Sequence, residues 1–212
     1  MSEQLDKIKE AIVGGQHNEI EALVQSALDA ALAADQIVNQ AMIPGMDVVG
    51  QKFSNNEIFV PEMLVAAVTM NKGLALLKPF LQQSGAESKG KIIMCTVKGD
   101  LHDIGKNLVI MMLEGAGFEV LDMGVDMNVD SLIAAVKEIK PDVLGLSALL
   151  TTTLPEMAKV IEALEANNIR DEIKVMIGGA PVDAAFSDKI GADGYGRDAA
   201  EAVQIARQLV TG

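Results

Sequence analysis

The chain has 212 residues, 50% of them hydrophobic, with 17 Lys plus Arg against 30 Asp plus Glu and a formal net charge of −13. That length holds one or two domains with a buried core, and the acidic balance lacks the basic footprint that nucleic acid or an anionic membrane surface requires. No run of about 20 apolar residues and no apolar signal core in the polar start Met1 to Glu10 is seen, so no membrane segment is expected, and the single Cys95 excludes an internal disulfide and fits a reducing cytoplasm.

The first part of the chain shows only helical periodicity. Leu5, Ile8, Ile12 and Val13 share one face, and Ile20, Leu23, Val24, Ala27 and Leu28 form a second stripe. Ile37, Ala41, Met42 and Met46 begin a third helix reaching about Lys52. Pro61 opens a fourth, carried by Met63, Leu64, Ala67, Val68, Asn71 and Leu74. Breaks at Gly14-Gly15 and Ser54-Asn55-Asn56 separate them, and the set reads as a small four-helix bundle. The twelve methionines are read as adaptable core filler. Gln82 to Gly90 is polar and reads as a linker, which puts a helical domain over residues 1–88 and a second domain over 89–212.

Beyond the linker, short apolar runs alternate with helical stripes. Strands are expected at Lys91–Val97, Phe118–Met123, Asp142–Ser147, Lys174–Ile177 and, weakly, Asp193–Tyr195. Helices are expected at Ile104–Glu114, Val129–Ile139, Pro155–Asn167, Ala184–Ile190 and Ala199–Leu209. Such alternation implies an α/β, doubly wound parallel five-stranded sheet. Ligands of open α/β sheets bind outside the carboxyl ends of the strands. Three loops fall there: Gly99-Asp100-Leu101-His102-Asp103-Ile104-Gly105, Ser147-Ala148-Leu149-Leu150-Thr151-Thr152-Thr153 and Gly178-Gly179-Ala180-Pro181. Cys95, inside the first strand, is expected to be buried and inert.

The chain has two histidines, His17 and His102. A lone loop histidine is most often a surface residue, and His17, near a helix start, fits that reading. His102 lies on the expected ligand rim, two residues after Asp100, and metal-binding imidazoles commonly give their other ring N–H to a carboxylate. A zinc site needs three or four ligands. Asp100, His102 and Asp103 supply three donors, but no second histidine or nearby cysteine supports them. One imidazole on a metal already held by a macrocycle fits better.

At these residues the sequence resembles a known family. Asp100 to Gly105 matches the cobalamin-binding motif Asp-x-His-x-x-Gly, Ser147-Ala148-Leu149 matches its later Ser-x-Leu, and Gly178-Gly179 matches its glycine pair. The whole chain is similar to the cobalamin-binding module of methionine synthase, a helical cap followed by a flavodoxin-like (Rossmann-like) domain. Its size resembles the stand-alone corrinoid proteins of methylamine, quaternary-amine, methanol and methoxylated-aromatic methyltransferase systems, the amine branch most of all.

The resemblance implies a cobalamin or related corrinoid whose cobalt alternates between methylcob(III)alamin and cob(I)alamin. His102 would be the lower axial ligand and the only metal ligand from the protein. Asp100 would bond His102, and Thr153 would complete the relay where methionine synthase has Ser. Asp103, Ile104, Gly105, Ser147, Leu149, Thr151, Gly178, Gly179 and Ala180 would line the cofactor. Ser147 would contact its displaced nucleotide tail. Phe53 and Val60 would cover the upper face of the corrin, with Phe59 as a rival for that place.

The implied partners are a substrate:corrinoid methyltransferase, a second methyltransferase delivering to tetrahydrofolate or to a thiol such as coenzyme M, and a reductive-activation protein. The resemblance implies a methyl carrier, not an enzyme complete in itself. His102 would leave and return in each cycle, and the cap would move on a hinge at Ser84 to Gly90. A carbon-skeleton mutase domain usually lacks such a cap, a cobalamin light sensor needs a DNA-binding module, and a receiver or flavin protein leaves His102 and the glycine pair without a role.

Overall fold

The computed structural model describes residues 2–84 and 88–211. The chain divides into two compact units, Met1–Ser88 with Glu114–Gly117, and Lys89–Leu113 with Phe118–Gly212.

In the first unit α1 (Ser2–Val13), α2 (Ile20–Asp29), α3 (Ala34–Ile37), α4 (Ile43–Ser54) and α5 (Val60–Ser84) pack apolar stripes on one another. Ile8, Ile12, Ile20, Val24, Ile37, Met42, Met46, Met63, Met70 and Leu77 are buried. The third helix of the sequence reading begins earlier than expected, at Ala34, and runs to Ser54 through a π-helical turn at Val38–Met42. Pro44 explains the turn. It has no N–H for the carbonyl of Gln40 and its ring crowds that carbonyl, so the preceding turn widens.

The last helix corrects the sequence reading twice. It carries Pro79 inside it and continues to Ser84, taking in the first residues assigned to the linker. The rest of that assignment is partly outside the described residues, as are residues 85–87 of the hinge placed on it. The segment Val60–Leu81 is also long and apolar enough to cross a membrane by length and composition, with a mean hydropathy of 1.3, where no such run was expected. Met63, Ala66, Ala67, Met70 and Leu77 of this segment are buried, while Val65, Val68 and Phe80 are exposed.

The second unit alternates β1 (Lys91–Thr96), α6 (Ile104–Gly115), β2 (Glu119–Asp122), α7 (Val129–Ile139), β3 (Val143–Ser147), α8 (Leu154–Ala166), β4 (Lys174–Gly178), α9 (Ala184–Ile190), β5 (Gly194–Gly196) and α10 (Ala199–Thr211). All pairings are parallel, in the order β2-β1-β3-β4-β5. This is the flavodoxin-like order, whose switch point lies between β1 and β3. The central strands are buried nearly throughout because helices cover both faces. Ile93, Cys95, Leu144, Leu146, Val175 and Ile177 meet Leu132, Val136, Met157, Val160, Ile161 and Leu164 in one core. Asn128 and Asp183 cap α7 and α9 by accepting the N–H groups of Ser131 and Phe186.

Register positions the site. Thr96 pairs with Ser147, Ser147 with Gly178, and Gly178 with Gly196. The loops after β1, β3 and β4 therefore leave the sheet from one row.

Candidate cofactor site at the carboxyl edge of the sheet

Asp100 is the centre of this edge. No part of it is exposed, and its two oxygens divide the work. Oδ1 accepts from the backbone N–H of His102 at 3.1 Å and lies 2.7 Å from His102 Nδ1. Oδ2 accepts from the N–H groups of Leu149 at 2.7 Å and Leu150 at 3.1 Å, and from the Thr153 hydroxyl at 2.9 Å. Burial works to raise the pKa of this carboxyl. The bonds from Leu149, His102 and Thr153 oppose it and prevail, holding the group well below the usual carboxylate range. A carboxylate held ionised by these bonds thus faces one ring nitrogen of His102.

The His102 side chain is half exposed, and its Nε2 has no partner among the described residues. With Nδ1 as donor to Asp100, Nε2 carries the lone pair. The loops after β1 and β3 carry large apolar residues that the fold leaves in the open: Leu101 is 71% exposed, Ile104 76%, Leu149 44% and Leu150 40%. A half-exposed imidazole nitrogen on loops with exposed apolar residues suits a broad, largely apolar group carrying a metal.

The glycines separate into two kinds. A Cβ on Gly179 would lie 1.8 Å from the carbonyl oxygen of Ala148, and its φ is +130°. The fold itself requires glycine there. A Cβ on Gly105 would meet nothing within 4 Å, so nothing in the protein explains glycine at that exposed position. That open space leaves the backbone at the start of α6 accessible to a bound group.

The remaining expected residues are dispersed. Asp103 is exposed and bonds Asn107, through its carbonyl at 2.8 Å and its carboxylate at 3.2 Å. It thus serves the first turn of α6 and not the ring of His102. Ser147 is half-buried at the end of β3, and its hydroxyl has no partner among the described residues. Thr151 and Ala180 are exposed and Gly178 is half-buried, all on the same edge. Phe53, half-buried, and Val60, exposed, belong to the helical unit, at the end of α4 and the start of α5; Phe59 is 63% exposed. His17 is half-buried in a turn of that unit, with its Nδ1 3.3 Å from the Gly15 carbonyl oxygen.

Sequence reasoning missed four contributors. The N–H of Leu150 is backbone and leaves no trace in residue type. Asp126, in the left-handed region at φ 54°, accepts from Gly99 N–H at 2.7 Å. Lys106 is buried, and its Nζ donates to Asp122 Oδ1 at 2.6 Å and Asn107 Oδ1 at 2.8 Å. Thr96, a hydroxyl closing an apolar strand, was the one visible signal. Among the described residues no cluster of three His, Cys, Asp or Glu could hold a bare metal ion.

A family described as a B12 binding domain matches residues 90–204, and a second of the same description matches residues 4–78. A dimethylamine corrinoid protein of Methanosarcina barkeri is 41% identical over 209 residues, covering 98% of each chain. A corrinoid protein of Desulfitobacterium hafniense (strain Y51) is 39% identical over 209 residues, 97% of each. Among solved structures, one of the methanol:cobalamin methyltransferase complex from Methanosarcina barkeri superposes with a TM-score of 0.86 at 32% identity, over 99% of this chain and 80% of that one. The chain belongs to the B12-binding corrinoid proteins.

Proposed function

We propose that this corrinoid protein carries a methyl group between a methyltransferase that takes it from a small donor and a second that passes it to tetrahydrofolate or a thiol such as coenzyme M. When bound, the corrinoid supplies the cobalt on which the methyl group rides. The protein would supply a nitrogen to hold the cobalt, the orientation of that nitrogen and exposed apolar residues beside it. The observation that carries this reading is the buried Asp100 holding Nδ1 of the half-exposed His102, on loops whose Leu101, Ile104, Leu149 and Leu150 are left exposed.

His102 Nε2 would be the nitrogen that holds the cobalt. Asp100 fixes the ring and its tautomer, and its charge makes the imidazole a stronger donor. Thr153, bonded to Asp100 Oδ2 and to the Leu150 carbonyl at 2.8 Å, would keep the carboxylate in place whether or not the ring holds the metal. Gly105 leaves room against the backbone, and Ser147, in register with Gly178, would contact the cofactor's nucleotide tail, as the resemblance implies. In the helical unit Phe53 and Val60 are assigned the upper face of the corrin on resemblance alone. An amine donor is favoured because a dimethylamine corrinoid protein is among the relatives. A reductive-activation protein and a cytoplasmic setting belong to the same reading, the latter supported by the lone free thiol of Cys95.

Reconstitution with hydroxocobalamin, gel filtration and a visible spectrum test it, with His102→Ala in parallel. Wild type is expected to retain cobalt colour, and the variant to retain less or to show an altered spectrum. Identical spectra would remove His102 as ligand. Colour in neither protein would sink the carrier reading.

A further inference from the structure

Thr96 closes β1 and is fully buried, in a strand whose other side chains are apolar except for Lys91 at its start. Its hydroxyl does not serve its own strand. It donates to the carbonyl of His102 at 2.9 Å. Thr96 is itself held firmly: its N–H donates to the Gly124 carbonyl at 2.9 Å, and its carbonyl accepts from Met127 N–H at 3.1 Å. Gly124 N–H is tied in turn to Asp122 Oδ1 at 2.8 Å, the oxygen that also receives the buried Lys106 ammonium. A chain of bonds from Lys106 through Asp122 and Gly124 to Thr96 therefore ends on His102.

His102 is thus anchored twice. Asp100 takes its N–H and its ring, and Thr96 takes its carbonyl. With only the first anchor, the peptide after His102 can rotate and carry the Cα–Cβ bond with it. Holding both backbone groups of one residue sets the direction in which its side chain leaves the loop. We infer that Thr96 is a positioning residue for the axial ligand: its hydroxyl, through the His102 carbonyl, sets the height and angle at which Nε2 stands above the loop. This rests on the reading of His102 as the cobalt ligand.

The test uses the full chain, labelled with 15N-histidine, loaded with cobalamin and reduced to cobalt(II). The electron paramagnetic resonance spectrum then reads the axial nitrogen, split into a doublet by labelled histidine and a triplet by an unlabelled base. Wild type and Thr96→Ser, which keeps the hydroxyl, are expected to show the doublet. Thr96→Val, which keeps the shape and loses the hydroxyl, is expected to lower the equilibrium constant for histidine ligation about fivefold, the worth of one net hydrogen bond. If Thr96→Val does not fold, Thr96→Ala, which leaves a void instead of strain, replaces it.

A second comparison separates positioning from general loosening. In a His102→Gly background with free imidazole as ligand, adding Thr96→Val is expected to leave imidazole affinity unchanged, because no backbone connects that ligand to the loop. An undiminished doublet in Thr96→Val, loss of it in Thr96→Ser, or weaker imidazole binding in the double variant would each overturn the inference. Absence of the doublet in wild type would instead overturn the ligand assignment beneath it.

Discussion

At the scale of single residues, the site depends on charge kept where water cannot reach it. Five donors surround the Asp100 carboxylate, three of them backbone N–H groups of His102, Leu149 and Leu150. An isolated buried carboxylate is costly, and these bonds are what make it tolerable. Glycines at this edge divide by what the protein itself demands. Gly179→Ala drives a methyl group into the Ala148 carbonyl at a φ that side chains rarely adopt, and is expected to destabilise the fold by about 3 kcal/mol. Gly105→Ala enters open space on a helix and is expected to change stability by about 0.5 kcal/mol or less, while weakening cobalamin retention. Urea unfolding alongside cofactor titration checks both. Equal stability losses would mean that the fold itself, and not a bound group, requires glycine at 105.

The motif spacing made Asp100 and His102 visible as a pair, because two residues in one loop stay close however the loop folds. Thr153 was reached only through resemblance. Its pairing with Asp100 spans 53 positions and has no local signature. Leu149 and Leu150 act through their N–H groups, which every residue but proline possesses, so no reading of side chains would find them.

At the scale of elements, the turn from β1 into α6 is held by its neighbours on the sheet. Lys106 in the first turn of α6 is buried, with 1% of its side chain exposed, and is paired with Asp122 at the end of β2, which is 41% exposed. The asymmetry sets an order of costs. Lys106→Met leaves Asp122 free to hydrate and is expected to cost about 1 kcal/mol or less. Asp122→Asn leaves a buried ammonium without its counter-charge and is expected to cost about 3 kcal/mol. Chemical denaturation compares the two, and equal losses would show that Lys106 reaches water once its partner is neutral.

Proline marked element boundaries less well than its reputation suggests. Pro61 lies at the start of α5, where a missing N–H costs nothing. Pro79 lies inside the same helix, and the turn before Pro44 widens without ending the run from Ala34 to Ser54. Packing of apolar faces such as Met70 and Leu77 outweighs the loss of one backbone bond.

At the scale of the molecule, the α/β unit offers its own reporter. Cys95 is the lone cysteine, fully buried in β1, and burial pushes its thiol up to about 12. At neutral pH it is neither accessible nor ionised, so a thiol reagent labels it only when the sheet opens. A corrinoid seated at the carboxyl edge binds the closed sheet alone. At a free concentration of about 100 times its dissociation constant it is expected to slow labelling about 100-fold. Labelling at the same rate with and without cobalamin would contradict a cofactor site built on this sheet.

The sequence by itself determined the order of elements in the α/β unit and the place of the three loops. Hydrophobic period is a property of local stereochemistry, two for a strand and 3.6 for a helix, and needs no knowledge of the rest of the chain. The tertiary structure alone decided that β3 lies beside β1, with Thr96 in register with Ser147. Strand order is set by how the helices cover both faces of the sheet, a sum over contacts between residues far apart in sequence. That order is what brings Leu149, Leu150 and Thr153 onto the second oxygen of Asp100, and Thr96 beneath His102.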